Sequence, residues 1–197
     1  MSKIIKIGIT GGIGSGKTTV CQLFEKRGIP VYYADTRAKE LVEKNEALKI
    51  EIIQHFGNES YFDNGKYNVK YITNIVFKNN SKLQVLSNII HPYVINDANS
   101  WHTAQKNVPF TIKESALLFE NKLTHTVDKI ITVIAPLEIR IQRLLLRDNL
   151  SRKQILERID NQLPDLEKIK YSDFIINNDN VLGLENQIET IFHNIAP

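Results

Sequence analysis

A glycine-rich turn near the start of the chain, in "GITGGIGSGKTT", restricts the fold more than any other stretch. The pattern G-x-x-x-x-G-K-S/T is satisfied by Gly11, Gly16, Lys17 and Thr18. It lies between an apolar strand-like segment and an amphipathic helix-like one. Small residues let successive backbone amides point inward, and the following helix adds its unpaired N-terminal donors. A plain glycine turn requires neither the lysine nor the hydroxyl, so the motif predicts a phosphate-binding loop.

The loop predicts both a nucleotide and a metal ion. Lys17 is expected to bridge the outer phosphates of ATP, and the Thr18 hydroxyl to complete the shell of Mg²⁺. The residues predicted to hold the nucleotide in this loop are Gly11, Gly12, Gly14, Ser15, Gly16, Lys17, Thr18 and Thr19.

Composition narrows the possible classes of protein. With 197 residues the chain is expected to form one domain. The net charge is +3 and no run of five basic residues occurs, which disfavours a nucleic-acid partner. No segment has the length and apolarity of a membrane span or the pattern of a signal peptide. Cys21 is the single cysteine, so no internal disulfide is possible. We expect a soluble, cytoplasmic protein, and the oligomeric state stays open.

Strand-like and helix-like segments alternate, which is typical of an α/β fold with a parallel sheet. Five strands are predicted, at Ile4–Ile9, Pro30–Ala34, Pro109–Lys113, Ile130–Ala135 and Phe174–Ile176. Residues 60–105 are too long for a simple crossover connection and are interpreted as a mostly helical insertion. Residues 145–170 are dense in charge.

The rest of the chain indicates which class of phosphate-loop protein this is. No N-K-x-D tetrapeptide is present to read guanine, and Asp63-Asn64-Gly65 does not give the D-x-x-G spacing of a GTPase switch. A motor or helicase is normally longer and carries a nucleic-acid surface. A small-molecule kinase needs an orienting carboxylate, an acceptor pocket and cations that close over the transferring group.

Two features supply the parts that a kinase needs. Asp35 ends the predicted second strand in "VYYAD", where side chains face the ligand crevice of an open α/β sheet. It can accept a proton from an acceptor hydroxyl, or it can cap a helix. Arg143 and Arg147 share a helical face, with Arg140 one turn earlier. They can hold phosphate oxygens, or they can form a solvated face.

The chain resembles the dephospho-coenzyme A kinase family over about residues 4–190. The stretches that carry the resemblance are "GITGGIGSGKTTV", "YYADTRAKELV", "IIHPYV", "ALLFE", "IQRLLLRDNLS" and "NQLPDLEKIKYSDFIINND". The phosphate loop is shared by many proteins, whereas "HPYV" and "ALLFE" are more specific. The resemblance implies transfer of the γ-phosphoryl group of ATP to the ribose 3′-hydroxyl of dephospho-CoA, the last step of coenzyme A synthesis.

The resemblance also implies a P-loop NTPase three-layer fold with a parallel five-stranded sheet. One kinase domain over residues 3–197 would have a nucleotide core at 1–56, 106–145 and 171–197, a helical substrate-binding insertion at about 57–105 and a lid at about 146–170.

The family's site residues carry over by position. Asp35 corresponds to the catalytic carboxylate, Lys17 to the loop lysine, and Arg143 and Arg147 to lid arginines. Asn178 corresponds to the asparagine of an adenine-side motif. The expected substrate-binding residues are Thr10, Asp35, Lys39 and His91. Lys39 stands where the family commonly has arginine, so it keeps the charge but loses the bidentate fork.

Glu114 interrupts the apolar third strand near its end. From its position, a carboxylate there can anchor water around Mg²⁺, or it can face solvent at an edge. Two rival functions stay open. Another small-molecule or nucleotide kinase would use the same scaffold, and a nucleotide-gated binding protein would use ATP as a switch without needing Asp35 or the spaced arginines.

Overall fold

The computed structural model describes residues 4–77 and 79–195. Its contacts divide the chain into two compact units. One contains the chain up to Tyr33 together with the chain from His102 onward, and the other is Ala34–Trp101. Within the described residues, no helix combines the length and the apolarity needed to cross a membrane.

The first unit is built on a parallel sheet of five strands in the order β2-β3-β1-β4-β5. The strands are β1 (Ile5–Thr10), β2 (Val31–Tyr33), β3 (Phe110–Glu114), β4 (Lys129–Ile134) and β5 (Phe174–Asn177). The predicted parallel α/β sheet is confirmed. The central strand β1 lies between β3 and β4, with Ile9 opposite Glu114 on one side and Ile131 on the other.

The helices of this unit flank the sheet and follow its strands. They are α1 (Lys17–Glu25), α6 (Leu137–Arg147), α7 (Arg152–Asp160), α8 (Asp165–Lys170) and α9 (Leu184–Ile195). Apolar residues recur at helical spacing, so α1 and α9 each present an apolar stripe to the sheet. Their buried side chains join those of the strands in one core, which includes Ile7, Ile9, Val20, Phe24, Phe110, Ile112, Ile131, Ile188 and Ile191.

The second unit is helical and has a core of its own. It contains α2 (Ala34–Lys44), α3 (Glu46–Phe56), α4 (Val69–Val76) and most of α5 (Asn80–Ala104). Val42, Leu48, Ile52, Phe56 and Ile72 are buried together there. Since α2 and α3 contribute to this core, the compact unit begins at Ala34, whereas the predicted substrate-binding insertion begins at about residue 57.

The second strand ends earlier than the sequence predicts. β2 stops at Tyr33, and Ala34 already begins α2, so Asp35 lies in the first turn of a helix rather than at the end of a strand. The predicted strand Pro30–Ala34 runs one residue too far, and the prediction that Asp35 ends it was wrong. A carboxylate is favourable in a first helical turn because it faces the positive end of the helix dipole.

A buried ion pair joins the segment after β3 to α8. The Lys168 side chain is fully buried, and its Nζ lies 3.0 Å from Oε1 of Glu120. The two charged groups form an ion pair, but they are not oriented for a hydrogen bond. Glu120 Oε1 also accepts the Leu163 amide at 3.0 Å. Glu120 therefore binds the chain both just before α8, at Leu163, and within α8, at Lys168.

We predict that Lys168→Met lowers the free energy of unfolding by roughly 3 to 5 kcal/mol, because it leaves the Glu120 carboxylate without its buried partner. The matched control is Lys170→Met, which removes an exposed pair with Glu167 from the same helix and should cost about 1 kcal/mol or less. Urea denaturation of both variants measures the difference. Equal losses would contradict a structural role for the buried pair.

Candidate functional site

The phosphate loop, residues 11–18, connects β1 to α1 and closes on itself. The Lys17 ammonium donates to the carbonyl of Gly11 at 3.0 Å and to that of Gly12 at 3.4 Å. The Ser15 amide donates to the same Gly12 carbonyl at 3.1 Å. These contacts turn the loop around the lysine, whose side chain is buried.

Two glycines of the loop lie in close contact with neighbouring side chains. A Cβ on Gly12 would overlap the guanidinium of Arg140, and one on Gly16 would overlap the side-chain amide of Asn178. Gly16 has φ 94°, in the left-handed region where a Cβ is strained. At Gly16 the loop therefore has a conformation that favours glycine.

The donors and hydroxyls of the loop suit a phosphate ligand. α1 begins at Lys17, so the amides of Thr18 and Thr19 lie in its first turn. Backbone amides in a first turn have no acceptor within the helix. Both threonines are exposed. Among the described residues, the buried hydroxyls of Thr10 and Ser15 have no hydrogen-bond partner. Unpartnered donors at a helix N-terminus favour a bound anion.

Arg143 and Arg147 border a cavity of about 320 Å³ over the loop. Its lining residues are Gly14, Gly16, Lys17, Thr18, Thr19, Arg143, Leu144 and Arg147. The structure therefore brings both predicted arginines to the phosphate loop. Arg147 is exposed and binds the carboxylate of Asp148 at 2.7 and 3.0 Å, which lowers the pKa of Asp148.

Arg143 contacts the protein more extensively than Arg147 does. Its guanidinium donates to the carbonyl of Ser15 at 3.3 Å, to the Asn178 side chain at 3.1 Å and to the Asn180 side chain at 2.6 Å. A single cation therefore joins the phosphate loop to the loop that follows β5.

Asn178 is buried against the phosphate loop. Its amide nitrogen donates to the carbonyl of Ser15 at 2.8 Å. The turn that carries it is held by Asp179, whose carboxylate accepts the amides of Val181 and Leu182 at 2.9 Å each. Those two bonds lower the pKa of Asp179. The structure gives Asn178 a loop-supporting position, and its contact with an adenine stays a prediction.

Glu114 is buried at the carboxyl end of β3 and not solvent-facing. It pairs in register with Ile9 of the strand that leads into the loop, and with Tyr33 of β2. Burial raises the pKa of the Cys21 thiol far above its ordinary value, and the charge of Glu114 raises it further. The Glu114 carboxylate is therefore close to α1, the helix that follows the phosphate loop.

No cluster of three or more His, Cys, Asp or Glu side chains able to hold a metal occurs in residues 4–77 and 79–195. The roles of Thr18 and Glu114 in binding Mg²⁺ stay predictions.

Three predicted site residues belong to the helical unit. Asp35 and Lys39 lie on α2 and both are exposed, while His91 lies within α5 and is half-buried. Pro92 follows His91 inside the helix and has no amide to donate to the carbonyl of Asn88. The substrate contacts predicted for Asp35, Lys39 and His91 stay predictions.

Sequence reasoning missed two residues that contact the loop directly. Arg140, weighed only as a third cation of α6, is buried and donates Nε to the Ile13 carbonyl at 2.8 Å. Gln162 accepts the Ile13 amide on Oε1 at 2.6 Å. The spacing of Arg140 from Arg143 indicated a shared face, but no sequence signal indicated Gln162.

Comparison with known proteins gives similarity over nearly the whole chain. A family model described as dephospho-CoA kinase matches residues 5–183. A dephospho-CoA kinase from Bacteroides fragilis is 39% identical over 184 residues, covering 93% of this chain and 89% of that protein. The crystal structure of TT1252 from Thermus thermophilus has a TM-score of 0.85 at 28% identity and covers 100% of both chains. A dephospho-CoA kinase from Campylobacter jejuni has a TM-score of 0.70 at 27% identity, covering 97% of this chain and 96% of that one.

We predict that Gly16→Ala weakens ADP binding by about tenfold or more, since the added Cβ meets Asn178 and a left-handed residue with a side chain costs roughly 1–2 kcal/mol. Gly183→Ala is the matched control, because its Cβ would meet nothing closer than 3.7 Å. Isothermal titration with ADP measures both. Unchanged affinity in a folded Gly16→Ala protein would contradict the assignment of the loop.

Proposed function

The chain belongs to the dephospho-CoA kinase family, and from that membership we propose that it phosphorylates the ribose 3′-hydroxyl of dephospho-CoA with ATP. The product is coenzyme A, and the reaction is the last step of its synthesis. The observation that carries the proposal is the family match over residues 5–183. The phosphate loop lies within the matched range, and its lysine, glycines and threonines are in place.

ATP is assigned to the phosphate loop. Inward backbone amides and the N-terminus of α1 would hold its β- and γ-phosphates, and the Lys17 ammonium would exchange its carbonyl acceptors for phosphate oxygens. Loop carbonyls are weaker acceptors for an ammonium than charged phosphate oxygens, so the exchange is favourable.

Mg²⁺ is assigned to the Thr18 hydroxyl, with Glu114 orienting its water ligands. The exposed Thr18 side chain at the second position of α1 and the buried carboxylate at the end of β3 support this assignment. When bound, the ion neutralises the charge that develops on the transferring group.

Asp35 is assigned as the carboxylate that orients the acceptor hydroxyl and accepts its proton. Its side chain is exposed and follows β2 by two residues. Lys39 and His91 are assigned to contacts with the dephospho-CoA molecule, and the insertion at about 57–105 to the remainder of that substrate.

Arg143 and Arg147 are assigned to the charge of the transferring phosphoryl group. Both line the cavity over the loop, and a guanidinium stays ionised while it forks onto phosphate oxygens. The segment of about 146–170 would act as a lid that excludes the water able to hydrolyse ATP. A cytoplasmic location and the absence of a nucleic-acid partner stay predictions from composition.

The first test is incubation of the purified protein with Mg-ATP and dephospho-CoA, followed by mass detection of coenzyme A. We expect one added phosphate, and we expect Asp35→Asn to lower turnover by about two orders of magnitude through the loss of general-base catalysis. Glu185→Gln, at an exposed carboxylate of α9 outside the predicted substrate-binding insertion and lid, should behave like the unaltered protein.

Three outcomes would count against the proposal in different ways. ATP binding without product would move the function to another acceptor or to a nucleotide-gated binding protein. ATP hydrolysis that ignores dephospho-CoA would reject the acceptor alone. Full turnover in folded Asp35→Asn would reject only the role of that carboxylate.

We also predict that Glu114→Gln raises the Mg²⁺ concentration needed for half-maximal turnover by roughly tenfold or more, as expected when a group that orients metal ligands is lost. Glu185→Gln, at an exposed glutamate of α9, serves as the control. Titration of activity with MgCl₂ at fixed ATP gives the comparison. A Mg²⁺ requirement equal to that of the control would eliminate the metal role of Glu114.

A further inference from the structure

Ile13 of the phosphate loop is held by the rest of the unit through its side chain and its backbone. Its side chain packs against an apolar cluster of α6 and α7, formed by Ile141, Leu144 and Ile155. Its amide donates to Gln162 at 2.6 Å, and its carbonyl accepts Arg140 at 2.8 Å. Side chain, amide and carbonyl are therefore all tied to structure outside the loop.

These bonds fix the orientation of the two peptide planes that flank Ile13. In a trans peptide the carbonyl and the amide of one plane point in opposite directions. The Gly12 carbonyl points toward Lys17 while the Ile13 amide of that plane points to Gln162. In the next plane the Ile13 carbonyl points to Arg140, so the Gly14 amide points away from Arg140.

Gln162 and Arg140, which bind the backbone of Ile13, both connect to one short segment. Gln162 lies in the turn between α7 and α8. Asp165, the first residue of α8, binds the guanidinium of Arg140 at 3.1 Å. That ion pair is well shielded, since the Arg140 side chain is only 8% exposed. Residues 161–165 therefore control both peptide planes beside Ile13.

We propose that Gln162 and Arg140 are positioning residues that couple the α7–α8 segment to the phosphate loop. By holding Ile13 they aim the Gly14 amide at the bound phosphate, and phosphate binding in turn stabilises the segment, because energetic coupling between two sites is reciprocal. The proposal rests on nucleotide binding at the loop and does not depend on which acceptor is phosphorylated.

The test uses two variants of Gln162. Gln162→Met keeps the length of the side chain and removes the acceptor, while Gln162→Glu keeps an acceptor oxygen. We expect the methionine variant to bind ADP about tenfold more weakly, as for the loss of a hydrogen bond that leaves a donor unsatisfied, and the glutamate variant to recover most of the affinity. Gln142→Met, at an exposed position of α6, is the matched control.

Two further readouts separate positioning from a purely structural role. In steady-state assays, Gln162→Met should raise the KM for ATP while leaving the KM for dephospho-CoA unchanged. In nucleotide-free protein, hydrogen exchange of the Ile13 amide should accelerate in Gln162→Met and stay close to that of the unaltered protein in Gln162→Glu.

The possible contrary results are distinguishable. Lower thermal stability of Gln162→Met with unchanged ADP affinity would overturn the coupling and leave the proposed function intact. Unchanged exchange of the Ile13 amide would overturn the role of the bond itself. Failure of the unaltered protein to bind ADP would reject nucleotide binding at the loop, and with it both proposals.

Discussion

The carbonyl groups of the phosphate loop need hydrogen-bond donors of their own. Turning several amides of a short loop toward one point forces the neighbouring carbonyls outward, where burial without a partner would cost about 1–3 kcal/mol each. The Lys17 ammonium donates to the carbonyls of Gly11 and Gly12, and guanidinium and amide groups donate to those of Ile13 and Ser15. Arg140 donates to the Ile13 carbonyl, and Arg143 and Asn178 both donate to the Ser15 carbonyl. The loop keeps its shape because the surrounding side chains donate hydrogen bonds to its outward-facing carbonyls.

Two buried charges of this unit, Arg140 and Lys168, occur in pairs, and Arg140 binds the phosphate loop. Arg140 is almost inaccessible and needs Asp165 to balance its charge. Lys168, on the helix that begins with Asp165, is fully buried and paired with Glu120. Removal of one member of such a pair leaves an uncompensated charge, so the members depend on one another. The polar network and the apolar packing of Ile13 thus support the same loop from different sides.

The two predicted arginines show how one helix can serve both structure and chemistry. Arg143 and Arg147 are one turn apart on α6 and line the same cavity. Arg143 is fixed by protein acceptors on two loops, whereas Arg147 is exposed and binds the carboxylate of its neighbour Asp148. A fixed cation maintains the shape of a site, and an exposed one is available to a ligand. This difference assigns more of the structural role to Arg143.

The sequence alone determined the phosphate loop, the parallel α/β class and the apolar faces of α1 and α9. Each of these is local, because it depends on residue spacing within one strand, one turn or one helix. The predicted strand Pro30–Ala34 ended one residue too late, because strand propensity alone does not show where the next helix begins. Asp35 is favourable in the first turn of that helix, where it faces the positive end of the helix dipole.

Only the tertiary structure decided which side chains support the loop. Gln162 and Asn178 are 149 and 163 residues from the loop atoms that they bind, and a glutamine between two helices carries no signal of such a contact. The burial of Glu114 and of Arg140 likewise follows from neighbouring elements and not from their own segments. Hydrogen-bond partners that are distant in sequence are selected by packing, and packing is settled only when the whole unit has folded.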